Sequence, residues 1–281
     1  MQPPAVNHSI ASADQSDIEM RARALFALAL CDPAEKCGAV ATLAQLPIDP
    51  GALYENDVSV PGRPALPLLV HPSQVARRSM ATPEGRAALL HALAHIEFNA
   101  INLALDIIWR FPGMPQSFYI DWCQVAVEEA KHFGLLCERL AELGCRYGDF
   151  TAHDGLWEMA EKTRGDLMAR LALVPRTLEA RGLDVSPSIR DKLAQAGDHD
   201  SAAVLEIILR DEVGHVAIGN HWFKWVCERE GAEPVEAYER LARTYQAPRL
   251  RGPFNLEARR KAGFDDVEIE ALLRMAKQGA A

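Results

Sequence analysis

Two four-residue strings carry the chemistry that stands out in this chain: Glu129-Ala130-Lys131-His132 and Glu212-Val213-Gly214-His215. A Glu-x-x-His spacing puts a carboxylate and an imidazole one turn apart on a helix face, where both can reach one metal ion. About one such spacing is expected by chance in a chain of this composition, so the setting decides its meaning. Around the first string, Trp122, Val125, Ala126, Phe133, Leu136 and Leu140 recur at three and four residues. Around the second, Leu205, Ile208, Leu209, Val216 and Gly219 do the same. Both pairs therefore lie inside apolar helix faces. Single acids occupy equivalent stripes elsewhere: Glu97 among Leu90, Leu93, Ala94, Ile101 and Ile108, and Glu179 among Met168, Leu171, Ala172, Pro175 and Leu178.

Four carboxylates and two imidazoles directed into one core cannot stand alone, because a buried ionised group costs several kcal/mol even after relaxation. Four negative charges balance two divalent cations. A dinuclear metal centre held by Glu97, Glu129, His132, Glu179, Glu212 and His215 answers that energetic problem, and carboxylate and imidazole donors suit iron or manganese. The metal-free alternative is two buried Glu–His hydrogen-bonded pairs. On the third helix Glu158 and Glu161 compete with Glu179, but they sit among Lys162, Arg164 and Asp166 on what reads as a solvated surface.

The elements that must position these residues are helices. Ser16-Asp17-Ile18-Glu19 has capping-box spacing and starts a helix that Asp32-Pro33 stops. Prolines at 47, 50, 61, 64, 67 and 72 then forbid regular helix and predict an extended arm wrapped over something larger. Thr82-Pro83 opens a long helix ending near Arg110, and a second runs from about Gln116 to Leu143, closed by Gly144. A third is expected from about Asp154 to Arg181, kinked at Pro175 with Gly182 as its terminating residue, followed by a short helix near 188–195. A fourth follows Gly197-Asp198 and reaches about Glu230, and the tail breaks into smaller pieces at Pro248, Gly252-Pro253 and Gly263. Strand alternation is nearly absent. The reading is an all-α fold: a four-helix bundle at 82–230, an N-terminal helix and proline-rich arm at 1–81, and C-terminal accessory helices at 231–281.

The spacing also suggests a duplicated helix pair, since Glu97 to Glu129 is 32 residues and Glu179 to Glu212 is 33. Glu97 lies 13 residues before Arg110 and Glu129 lies 13 after Gln116, so antiparallel helices bring the two acids to one level. The second half is less regular, with Glu179 near its expected helix end.

These residues resemble the ferritin-like di-iron carboxylate superfamily over about 82–230. The longer strings His95-Ile96-Glu97-Phe98-Asn99-Ala100-Ile101, Leu178-Glu179-Ala180-Arg181-Gly182-Leu183-Asp184 and Leu209-Arg210-Asp211-Glu212-Val213-Gly214-His215-Val216 are similar to an uncharacterised bacterial ferritin-like family. Pro253-Phe254-Asn255 and Ala262-Gly263-Phe264 extend that likeness beyond the bundle, and a more distant similarity is to a ferritin-like hydroxylase of a modified tRNA adenosine. The resemblance implies two iron ions (with manganese or a mixed pair as the variant), Glu97 and Glu179 as terminal ligands, Glu129 and Glu212 as bridges, and one imidazole per metal. It implies an oxidoreductase that uses dioxygen and an external electron donor on a small organic substrate. The alternative is an iron-binding ferroxidase without organic substrate, against which stand the roughly 80 residues before and 50 after the bundle, far more than a ferritin cage subunit carries.

Composition bounds the rest. The chain has 281 residues, 49% hydrophobic and 25% charged, which excludes disordered and low-complexity classes. Its net charge of −9 argues against general attraction to nucleic acid, leaving tRNA a minor alternative resting on Arg249, Arg251, Arg259, Arg260 and Lys261. Six cysteines without a C-x-x-C pair, and an N-terminus with neither basic nor apolar signal region, predict a reducing, cytoplasmic setting. The apolar runs fall short of the ~18 residues a membrane span needs, so no membrane association is expected, and a homo-oligomer stays open. His95, Asn102 and Asp106 form a polar stripe nearly opposite Glu97, expected to hydrogen-bond the arm or accessory segments rather than hold a second metal. Glu128 and Asp211 are candidate partners for the ligand imidazoles, whereas His91 and His221 read as ordinary partly buried histidines.

Overall fold

In the computed structural model, which describes residues 19–55, 59–75 and 80–278, the chain is all-α. No β-strand forms among the described residues, where an isolated parallel bridge joins Leu69 to Ala152. The chain packs as two compact units, Met1–Ala76 with Ala87–His153 and Arg77–Arg86 with Asp154–Ala281.

The first described helix of the first unit is α1 (Met20–Ala29), whose N-cap is Glu19: its carboxylate accepts from the Ala22 N–H at 2.7 Å. Glu19 therefore caps the helix instead of standing three residues inside it, and Ser16, Asp17 and Ile18 of the expected capping box lie outside the described residues. Asp32 follows the end of the first described helix, but it also starts α2 (Pro33–Val40), accepting from the Ala34 and Glu35 N–H groups with Pro33 in the first turn. The two long helices follow as expected, α3 (Pro83–Arg110) and α4 (Gln116–Glu142).

Two buried cations tie the arm and short helices to α3. Arg21 donates to the Ile108 and Trp109 carbonyls at 3.2 and 2.9 Å, satisfying the open C-terminal carbonyls of α3, and to the carbonyls of Asp49, Pro50 and Ala52. Lys36, fully buried, donates to the Leu28 and Gly62 carbonyls and to Asn102 Oδ1. Burial pulls its amine down to about 7, since the three oxygens it meets are neutral. Gly62 itself admits no side chain: a Cβ there would stand 2.1 Å from the Ala29 carbonyl oxygen.

That arrangement resolves the polar stripe of α3. Asn102 meets Lys36 of the N-terminal segment, as expected, whereas His95 Nδ1 meets the Tyr147 hydroxyl at 2.8 Å, in the loop after α4 and within 82–230 rather than in the arm or the C-terminal helices. Asp106 differs: it pairs with Arg110 on its own helix, at 2.9 and 3.0 Å to Nε. Most of α3 is buried, and although it is long and apolar enough to cross a membrane by length and composition, buried His91, His95, Glu97, Asn99, Asn102 and Asp106 interrupt it.

The second unit corrects the third helix. Residues 154–181 are not one helix: α5 (Gly155–Lys162) stops at Thr163, whose hydroxyl bonds back to the Met159 carbonyl, and α6 (Leu167–Leu173) restarts with Asp166 as N-cap. A π-helical segment, Val174–Glu179, replaces the kink expected at Pro175. Proline supplies no N–H to the α-pattern, and the wider turn absorbs the mismatch. The helix then continues as α7 (Ala180–Gln195) straight through Gly182 and Pro187, so Gly182 ends nothing and no separate helix starts at 188. Tertiary contacts override the local signal. Leu183 and Ala180 are buried, and Asp184 accepts from Arg259 at 3.0 and 2.8 Å and from the Asn255 N–H, outweighing a glycine cost of about 1 kcal/mol.

The fourth long helix, α8 (His199–Glu230), starts at Asp198 and ends at Gly231 as expected. Three shorter helices close the unit: α9 (Pro234–Thr244), α10 (Leu256–Lys261) and α11 (Asp266–Gln278). Much of the C-terminal basic cluster faces acids within the unit: Arg259 meets Asp184, Arg260 meets Asp266 and Lys261 meets Glu257.

Candidate metal centre

Within the first unit, α3 contributes Glu97 and α4 contributes Glu129 and His132, and the antiparallel register brings them together. Each offers a ligand atom, and those atoms lie within 4.8 Å of one another. His132 Nδ1 stands 3.5 Å from Glu97 Oε2 and 3.4 Å from Glu129 Oε2. All three side chains are buried, Glu129 and His132 to within 1% of complete exclusion. The level match follows from the counting of residues to the helix ends, and neighbouring rings hold it: Phe98 and Phe133, adjacent in sequence to Glu97 and His132, pack with centroids 5.5 Å apart.

Burial alone would lower the His132 pKa, but the hydrogen bonds and charges of Glu129 and Glu97 outweigh it and push the imidazole up to about 10. At neutral pH the proton on His132 supplies the positive charge that two buried carboxylates need, in the place where a metal cation would supply it. Metal entry must displace that proton. Calorimetric titration of the metal-free protein with Mn²⁺ at pH 7, in two buffers of different ionisation enthalpy, should thus report release of roughly one proton from this imidazole. Affinity should climb with pH until about 10. For the metal-free fold the sign is opposite: a pKa raised above the ordinary 6.5 stabilises fully below that value, and the contribution fades as pH rises through about 10. Loading independent of pH with no proton released would contradict this picture.

The second unit holds the other three predicted residues. His215 Nδ1 lies 3.5 Å from Glu212 Oε1 on α8, with His215 buried and the Glu212 side chain 13% exposed. Glu179 closes the π segment. The segment reaches α8 at Gly219, where a Cβ would come within 2.5 Å of Pro175 Cβ, so only glycine permits the approach. Glu179 is four residues beyond Pro175 and His215 four before Gly219. α7 and α8 form an antiparallel hairpin across 196–198. The competing acids stay outside: Glu161 pairs with Arg164 at 2.7 Å on the exposed α5 surface.

Other readings of single residues fare unevenly. Glu128 accepts from Gln124 and Asp211 from Arg210, neighbours on their own helices. His91 is fully buried, more than expected, with Nε2 accepting from the Gly148 N–H at 2.9 Å, and His221 is exposed, its ring edge-on to Trp222. Sequence reasoning missed Tyr147, which sits in a loop with no periodicity yet touches His91, His95, Phe98 and Phe133. The ligand atoms that come together are carboxylate oxygens and an imidazole nitrogen, with no cysteine among them; burial pushes the thiols of Cys123 and Cys137 up to about 11 and about 12.

The chain belongs to the family described as "Protein of unknown function (DUF455)", whose model matches residues 29–270 and thus takes in the arm and most of the C-terminal helices. It is 50% identical over 214 residues, 74% of each chain, to a Haemophilus influenzae protein described as uncharacterized. No solved structure matches it.

Proposed function

We propose that the chain is an oxidoreductase holding two transition-metal ions, iron foremost and manganese as the variant, on Glu97, Glu129, His132, Glu179, Glu212 and His215. The observation that carries the reading is the meeting of two buried carboxylates on one buried imidazole in the first unit. Such a donor set is unfavourable without a cation, and its oxygens and nitrogen match the preferences of Fe²⁺ and Mn²⁺. When bound, the metal pair supplies the redox chemistry with dioxygen, drawing electrons from an external donor.

The chain's own residues do the rest. Glu97 and Glu129 offer four oxygens between them, enough for each to hold a metal and keep a second lone pair for a neighbouring ion or water. His132 enters as a neutral imidazole once its proton has gone, and burial excludes bulk water around it. In the second unit the π segment fixes the height of Glu179 on its helix, and π segments recur at functional sites because they re-aim a side chain without ending the helix.

The test separates an oxygenase or oxidase from an iron store. Diferrous protein mixed with dioxygen should oxidise about two irons per chain and stop until a reductant is supplied, because a catalytic centre keeps its metals bound. Stopped-flow absorbance through successive ferrous additions reads the limit. Soluble accumulation of many tens of ferric ions per chain would assign iron storage instead.

A further inference from the structure

The ring of His91 ties together three parts of the first unit. It is buried on α3, and its Nε2 accepts from the Gly148 N–H at 2.9 Å. Tyr147 stacks on it with ring centres 5.4 Å apart and 24° between the planes, and Phe150 meets it edge-on at 5.4 Å. The segment 145–153, which follows α4, is thereby held down on α3. That segment in turn holds the proline-rich arm: Val70 N–H donates to the Ala152 carbonyl at 2.8 Å, and Ala152 N–H donates to the Leu68 carbonyl at 3.1 Å. Gly148, at φ +106°, lies against Leu66, whose Cβ a side chain at 148 would meet at 3.0 Å.

The Gly148 N–H settles the tautomer of the ring. In a neutral imidazole one nitrogen accepts and the other carries the proton, so the proton of His91 is on Nδ1. That atom is buried and has no hydrogen-bond partner among the described residues. Protonation at Nε2 would set two N–H groups face to face at Gly148 and leave a buried cation with no carboxylate hydrogen-bonded to it. The titratable groups nearest the ring are engaged elsewhere. Asp149 accepts from the Arg146 N–H at 2.7 Å, and the Tyr147 hydroxyl meets His95 Nδ1 at 2.8 Å. Burial holds His95 itself, one turn along α3, down to about 4.

Burial likewise lowers the His91 pKa, and the opposing charge of Asp149 is the smaller effect. An opened segment, with its imidazole near the ordinary value of about 6.5, takes up a proton that the closed one refuses. Closure is therefore complete above that pH and is lost as pH falls below it.

We propose that His91 is an acid-sensitive latch: its neutral ring holds the segment 145–153, and through it the arm at 66–70, against α3, and protonation of Nε2 releases both. The latch uses none of the six metal-ligand candidates, so it stands or falls apart from the metal reading.

Amide exchange in the full chain, followed by NMR from about pH 7.5 to about 5 with each rate referred to its intrinsic value, tests it. Protection at Gly148, Ala152 and Val70 should fall together, by up to about tenfold per pH unit below about 6.5, while that of Leu241 in α9 holds. His91→Gln keeps an uncharged acceptor for the Gly148 N–H and should flatten all three profiles. Protection at these amides that merely tracks Leu241, or that falls at Gly148 alone, would overturn the latch. So would a fall in the His91→Gln chain as steep as in the wild type. If that variant does not fold, the imidazole nitrogen shifts of the wild-type chain decide: a proton on Nδ1 at about pH 7.5, with uptake at Nε2 in step with the loss of protection, supports the latch, and a proton on Nε2 at that pH overturns it.

Discussion

Protein purified from cells supplied with iron and manganese together should carry close to two transition-metal ions per chain, about one for each Glu-x-x-His string. The expectation comes from charge and burial. In the first unit two carboxylates and an imidazole are all but removed from water, and the second adds buried His215 beside Glu212 with Glu179 on the adjoining segment. Removing the metals should lower the melting temperature steeply. A ligand held at a thousand times its Kd contributes about 4 kcal/mol of stability, and the His132 proton replaces only part of the missing charge. Elemental analysis and a melting scan before and after chelation read both effects. Glu129→Ala and Glu179→Ala should each cut metal content by about half or more, whereas Glu161→Ala, on an exposed paired acid, should leave it at two. A chain that arrives metal-free and refuses ferrous iron under anaerobic conditions would end the reading. Zinc at one ion per chain would replace it with a mononuclear site. Metal lost with Glu161→Ala and kept with Glu179→Ala would move the ligand to the other acid of that region.

Much of this was legible from residue order because the signals were local or periodic. Thr82-Pro83, Gly144, Asp198 and Gly231 mark the ends of α3, α4 and α8, and the 3.6-residue stripes point Glu97, Glu129 and His132 inward. Counting from the turn between α3 and α4 then predicts that the acids meet, since the rise per residue is fixed. The break at 163–166, the π segment and the passage of α7 through Gly182 and Pro187 were not legible. Each is decided by a partner distant in sequence: Thr163 accepts from Arg170, Pro175 packs on Gly219, and Asp184 holds Arg259. Local propensity says what a segment prefers, and these segments are set by what they touch.

The same limit hides the buried cations. Arg21, Lys36, Arg170, Arg176 and Arg259 are each 5% exposed or less, although a reading by composition assigns such residues to the surface. Arg21 and Lys36 donate to main-chain carbonyls at helix ends, and Arg259, one of the basic residues on which a tRNA surface would rest, is instead a core residue of its unit. The family model extends over the arm and the C-terminal helices, and these cations show why those segments belong to the folded body: they carry the partners that buried charges require.

The largest stability effect in the second unit is expected at Glu268, where a single substitution removes the partner of a buried arginine. Arg176 Nη2 meets Glu268 Oε1 at 2.8 Å, with both side chains nearly excluded from water. The guanidinium also donates to Asn220 Oδ1 and lies 4.9 Å from the Phe223 ring centre and 4.6 Å from that of Phe264. Glu268 Oε2 accepts from the Asp265 N–H while the Glu268 N–H donates to Asp265 Oδ1, a reciprocal cap on α11, and Lys224 adds a third contact at 2.9 Å. Glu268→Ala strands a buried charge and opens that cap, which should cost about 3–5 kcal/mol in urea denaturation followed by circular dichroism. Removing both charges tells a different story. Arg176→Met with Glu268→Leu replaces the pair by apolar volume among the rings of Phe223, Tyr238 and Phe264, and should recover most of the loss, leaving about 1 kcal/mol for the opened cap. If Glu268→Ala costs under about 1 kcal/mol, Arg176 has reached water or another acid and the pair is not what fixes α11. If the double substitution is as damaging as the single one, the cost lies in the aromatic packing around Arg176 rather than in its unpaired charge.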